Sequence, residues 1–271
     1  MTTTLAVPGT ARLSLARGAI ELRQFFRNRE QVVFTFSLPA VLMILLGSIL
    51  DGPTGQAGVS SGQLLAAGMI GAGIVSTSFN SVGIGIAADR EIGALKRLRG
   101  TPMPAPAYFA GKMVMVAVTS VSQTVLMAAV AMLLFHLQLP SDPVKWLTLL
   151  WVLLLGTVSS TLLGIAISSV TRTANGTVAL VQLVYLVLQF ISGVFVTPIT
   201  HLPKIMVDVA SFFPLKWICQ GFRSVFLPPE AATQEMAGTW ELPMVALVLA
   251  AWCVVGLVLA RVTFRWTNEA K

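Results

Sequence analysis

Little in this sequence could do covalent chemistry, and the gaps narrow the reading. Gly58-Val59-Ser60-Ser61-Gly62 has the Gly-x-Ser-x-Gly spacing of a hydrolase nucleophile elbow. Such an elbow needs a strand before the serine, and here the turn-rich stretch from Gly52 to Gly58 precedes it. The candidate bases, His136 and His201, fall near the ends of apolar runs and read as interfacial residues. Cys219 and Cys253 are too few for a disulfide framework, and no zinc-ligand spacing occurs. No Gly-x-x-x-x-Gly-Lys-Ser/Thr loop is present to cradle phosphates; Gly93 and Gly100 are too far apart, and no lysine follows the second. None of the apolar runs holds an Asp or Glu that could relay protons inside a membrane. These residues argue against an enzyme, and any energy for work must come from a partner or a gradient.

The chemistry that remains is binding. Asp89-Arg90-Glu91-Ile92-Gly93-Ala94-Leu95-Lys96-Arg97-Leu98-Arg99-Gly100-Thr101-Pro102 is a charged stretch in a very apolar chain. Ile92, Leu95 and Leu98 recur every three residues and form an apolar ridge, with Asp89, Lys96 and Arg97 elsewhere around a helix. Acids at its start and bases at its end suit the helix dipole. Gly100 and Pro102 form a stop signal. The spacing predicts a helix over 89–100 that docks on another protein. A solvated loop with basic anchors is the plainer alternative.

The surrounding elements are membrane spans. Hydrophobic residues make up 55% of the chain and charged residues 11%, with a mean hydropathy of +0.82. A soluble domain carries about 25% charged residues. Charge-poor runs predict six spans, at 31–50, 62–88, 107–136, 146–171, 175–197 and 242–263, since a crossing needs about 20 apolar residues. The fold class is therefore all-α membrane protein, a single domain over 1–271. The net charge of +7 does not imply nucleic acid, because the bases cluster at span ends. Arg12, Arg17, Arg23, Arg27 and Arg29 precede the first span, and Arg90, Lys96, Arg97, Arg99 and Lys112 separate the second from the third. Arg172 follows the fourth span, and Arg261, Arg265 and Lys271 lie at or beyond the end of the sixth. Only Lys145, Lys204, Lys216 and Arg223 lie on the other side, which predicts both termini in the cytoplasm. The run 32–50 is longer than a signal-peptide core and lacks a small-residue cleavage site.

Two flanking segments complete the organisation. Residues 12–29 predict an interfacial helix, with Leu15, Ala19, Leu22 and Phe26 on one face and Arg12, Arg23 and Arg27 on another. An ordinary positive-inside flank is the alternative. Residues 199–227 are apolar but broken by Pro203 and Pro214, too short in each half to cross, and fit paired helices dipping into the outer leaflet. A plain outer loop is the alternative. Within the spans, Asn80, Gln123 and the stripe Gln182, Tyr185, Gln189, Ser192 are candidates to line a path. Packing hydrogen bonds between helices would account for the same residues. Gly68, Ala72 and Ser76 repeat every four residues, a helix-packing signal.

Arg90-Glu91-x-Gly93-x-Leu95-x-x-Leu98-x-x-Thr101-Pro102, followed by Gly111-Lys112, resembles the cytoplasmic loop of type-2 ATP-binding-cassette (ABC) exporter permeases. Ile191 to Pro198, Leu202-Pro203, Phe213-Pro214-Leu215 and Gly221-Phe222-Arg223 are similar to that family's outer gate segment. The resemblance covers nearly the whole chain. It departs at Lys96-Arg97, where the family pattern has an acid. The resemblance implies six spans with an elbow helix before them, and a dimeric membrane unit, a homodimer or a pair of relatives, bound to two copies of an ATPase subunit that carries the ATP and Mg. It implies coupling through Arg90, Glu91, Ile92, Leu95, Leu98, Thr101 and Pro102, and an outer gate at Phe195, Pro198, Phe213, Pro214 and Arg223. It further implies export of an amphipathic, drug-like or lipid-linked substrate across a bacterial plasma membrane, with no cofactor in this chain. A gradient-driven transporter and a non-transporting scaffold or sensor are the alternatives.

Overall fold

The computed structural model describes residues 9–52, 58–101 and 104–264. The described residues form helices and no strands: α1 (Thr10–Arg27), α2 (Arg29–Ile49), α3 (Ser61–Val75), a π turn (Ser76–Asn80), α4 (Ser81–Glu91), α5 (Ala94–Arg99), α6 (Ala105–Phe135), α7 (Pro143–Ile167), α8 (Ala174–Ile191), α9 (Lys204–Ala210), α10 (Pro214–Phe226) and α11 (Leu242–Thr263). Six stretches are long and apolar enough to cross a membrane: α2, the rod α3–π–α4, α6, α7, α8 and α11.

Local chemistry sets the ends of these helices. Ser60 and Gln63 form a reciprocal capping box at α3, so the elbow-like serine is a helix cap. Asp142 accepts from the Val144 amide at 2.9 Å, starting α7 earlier than the expected 146. Thr173 accepts from the Gly176 amide and starts α8. Prolines occupy the first turns of α6, α7, α10 and α11, where the missing N–H has no partner to lose. α8 stops at Ile191, short of the expected 197.

The expected single helix over 89–100 is two pieces. The second span continues to Glu91, and Gly93 then adopts a left-handed conformation at φ 71° before α5 begins. A side chain is disfavoured there, so glycine permits the chain to turn off the span.

The rod α3–π–α4 is the centre of the bundle: 78% of its apolar window is buried, against 17% for α2 and α11. A Cβ added at Gly164 of α7 would lie 2.7 Å from the Phe79 carbonyl oxygen, so α7 and the π turn meet backbone to backbone. α1 packs along α6, burying Gly18, Glu21 and Phe25, while Leu15 and Phe26 stay exposed on its other side. α9 and α10 form a hairpin whose tip reaches the level of mid-α11: Phe213 stacks on Trp252, and the Trp252 indole donates to the Phe212 carbonyl at 2.6 Å.

Candidate functional site

The charged end of the rod is pinned to the α7–α8 connection by two neighbouring residues of opposite sign. Arg90 is buried and donates to the Ser168 carbonyl at 2.7 Å, with weaker reach to the Ser168 and Ser169 hydroxyls. Those groups close the C-terminal end of α7, where unpaired carbonyls attract cations. Glu91 accepts from the Ala174 amide at 2.7 Å, at the first turn of α8, where free amides attract anions. Arg90 and Glu91 thus join the span end to the two complementary helix ends beside it.

The apolar ridge divides. Leu95 has no exposure and packs with Phe25, Ile86, Tyr108 and Met115 of its own chain, with Leu98 half-buried at the edge. The reading of Leu95 as a residue that fills a partner's groove is therefore corrected: the turn at Gly93 rotates α5 so that Leu95 faces inward. Ile92 is 65% exposed. Glu91, Lys96 and Arg97 are exposed around it. Thr101 closes the last turn by donating to the Leu98 carbonyl at 2.7 Å. Pro102 lies outside the described residues.

Beneath α5 lies a charge network that spacing did not single out. Glu21 of α1 accepts from Arg17 at 2.5 Å and from Lys112 of α6 at 2.8 Å. Lys112 also meets Asp89 at 3.0 Å, and the Tyr108 hydroxyl donates to the same carboxylate oxygen at 3.0 Å. Glu21 and Lys112 are both buried, so the network ties α1, α4 and α6 together away from water. The available signal was modest: a lysine about two turns inside a long apolar helix, and the single acid among the bases of α1.

The polar span residues occupy two places. Asn80 closes the π turn, buried, with its side-chain oxygen unpartnered. Gln123 is fully buried with both amide atoms unpartnered, near Thr124 in the same state. In α8 the Tyr185 hydroxyl donates to the Ala72 carbonyl at 2.9 Å, and Gln189 and Ser192 are buried. Gln182 is exposed. An apolar cavity of about 300 Å³ lies between the hairpin tip, the π turn and helices α7, α8 and α11, with Phe79, Leu188, Phe213 and Leu259 in its wall.

The opposite end of the bundle is held by Arg223, which is 2% exposed. Its Nε donates to Glu235 at 2.6 Å and an Nη donates to the Gly193 carbonyl at 3.3 Å, joining α10 to the segments after α8 and before α11. Glu235 was not singled out from sequence; only its tertiary partner reveals it. Pro198 and Pro214 are buried, Phe195 packs edge-on against Phe190 at 5.1 Å, and Phe213 holds the hairpin tip.

The family model described as ABC-2 type transporter matches residues 16–227, which runs from α1 through α10. Among curated proteins no match to the chain is found.

Proposed function

Given that the chain belongs to the ABC-2 type transporter family, a family of multi-pass membrane permeases that normally pair with an ATPase subunit, we propose that it is the membrane subunit of an ATP-driven exporter. Two copies of a separate ATPase subunit would bind and hydrolyse ATP, and a second permease copy would complete the path. The observation that carries this reading is the pinned span end. A helix that passes on force must be rooted rigidly, and Arg90 and Glu91 root α4 to α7 and α8.

The mechanism follows from which parts move together. α5 and the exposed Ile92, Lys96 and Arg97 form the surface offered to the ATPase. A push there is carried by α4 into α7 and α8 through Arg90, Glu91 and the backbone contact at Gly164. α3, above the π turn, packs instead against α10 of the outer hairpin. π turns inside helices often mark functional sites, and this one falls where the two halves of the rod change partners. It is the flexing point in this scheme, with the outer hairpin as the gate. The apolar cavity beneath the hairpin favours an amphipathic, drug-like or lipid-linked cargo. The excess of bases on the α5 side supports cytoplasmic termini in a bacterial plasma membrane.

The test is co-purification from native membranes. Wild-type chain should bring down an ATP-hydrolysing subunit, and Lys96→Glu combined with Arg97→Glu should lose it while the permease still accumulates and unfolds at the wild-type temperature. Wild-type chain that brings down no ATPase in mild detergent would overturn the coupling reading.

A further inference from the structure

A second groove opens on the side of the bundle at the α5 end of the spans. It measures about 490 Å³ and runs between the start of α6, the last turns of α7 and the end of α11. Phe109, Met113, Leu162 and Leu257 line it, and Phe109 packs edge-on against Phe264 at 4.8 Å to form its floor. Among the described residues, Arg261 is the one charged residue in its wall. Its guanidinium is exposed and meets no carboxylate among the described residues. The groove is separate from the cavity beneath the hairpin and from the charge network, since Tyr108 and Lys112 point to the other side of α6.

The position says what fills it. α11 faces outward over most of its length, with Val258 54% and Val262 79% exposed, so the groove opens towards hydrocarbon and not water. Its size lies within the range of about 300–1,000 Å³ typical of small-molecule sites. An apolar slot at that depth fills with acyl chain. At its mouth stands an arginine at a span end, where long basic side chains reach headgroup phosphates. Basic pockets between spans on the cytoplasmic side are known anionic-headgroup sites.

We infer that this groove binds an anionic glycerophospholipid of the adjacent leaflet, one acyl chain lying between α6 and α11 and the phosphate on Arg261. Bound there, the lipid braces α11 against α6, two helices that each pack on α7.

The experiment is native mass spectrometry of the full chain in mild detergent, given equal amounts of phosphatidylglycerol and phosphatidylcholine with matched acyl chains. Wild type should retain phosphatidylglycerol on the order of fivefold over phosphatidylcholine, the effect of about one basic residue beside a headgroup. Arg261→Ala should bring that ratio close to one, and Arg261→Lys should keep most of it. Leu257→Trp, which fills the slot from its exposed edge, should lower retention of both lipids. An unchanged ratio in Arg261→Ala, or unchanged retention in Leu257→Trp, overturns the assignment. So does loss of a dimer mass in Leu257→Trp with lipid adducts intact, because a second copy of the chain would then be the occupant. None of these readouts depends on an ATPase partner.

Discussion

Replacing Glu21 by glutamine tests whether the buried charge network holds α1 to the bundle. The side chain is 4% exposed and accepts from two cations, Arg17 at 2.5 Å and Lys112 at 2.8 Å. Arg17 is partly exposed and regains water when its partner is lost; Lys112 is buried and does not. The cost therefore falls mainly on one charged hydrogen bond, worth about 1.5–3 kcal/mol. It stays below the roughly 3–5 kcal/mol of a fully orphaned buried charge because Asp89 still holds Lys112 at 3.0 Å. For a chain of this size, about 2 kcal/mol lowers the midpoint of thermal unfolding by about 4–8 °C. The assay is thermal unfolding in detergent of Glu21→Gln, Lys112→Met and the double variant. Their coupling should be about 1–3 kcal/mol, because each single change removes the same bond. An unshifted Glu21→Gln, or strictly additive single changes, would refute the reasoning.

Arg90→Ala should cost about 1.5–3 kcal/mol through the lost charged hydrogen bond, read as a lower unfolding midpoint. Exchanging the pair, Arg90→Glu with Glu91→Arg, should be worse than either single change, because each charge would then face the wrong end of a helix dipole; a swap that restores stability would show that the helix ends are not the partners. Gly164→Ala should destabilise by about 1–3 kcal/mol, since its methyl group meets a backbone oxygen that cannot rotate away, and unchanged melting would contradict the close approach. Gln189→Leu should change transport while the ATPase still co-purifies, and wild-type transport would remove Gln189 from the path.

The spans were readable because hydrocarbon leaves a chain few options: every crossing must be apolar and satisfy its own backbone, so length and composition identify it. Span ends were harder, because Asp142 and Thr173 cap helices by short-range bonds that hydropathy does not register. The ridge Ile92, Leu95, Leu98 was read on one continuous helix, and one left-handed glycine was enough to turn Leu95 inward. Glu21–Lys112 joins residues 91 positions apart, and Arg223–Glu235 joins residues across a break between helices. Neither pairing has a periodicity to find. The Gln182 to Ser192 stripe marks a helical face, but that face is wider than the packed zone, so Gln182 falls at its exposed edge.

The distribution of charge separates the parts built to hold from those built to meet something. Among the described residues, Arg90, Lys112, Glu21, Arg223 and Glu235 are buried, each bonded within the chain at the end of a span or between segments. Removing charge from such residues should register first in stability. Lys96, Arg97 and Arg261 are exposed at the side from which the chain would be driven. Changing their sign should register first in what the chain binds, at little cost to folding, because surface charges in high dielectric contribute little. The two groups carry the same side-chain chemistry, and burial alone assigns them opposite experimental signatures. Unfolding midpoint and partner retention, measured on the same set of variants, therefore separate the scaffold from the interface without any knowledge of the transported molecule.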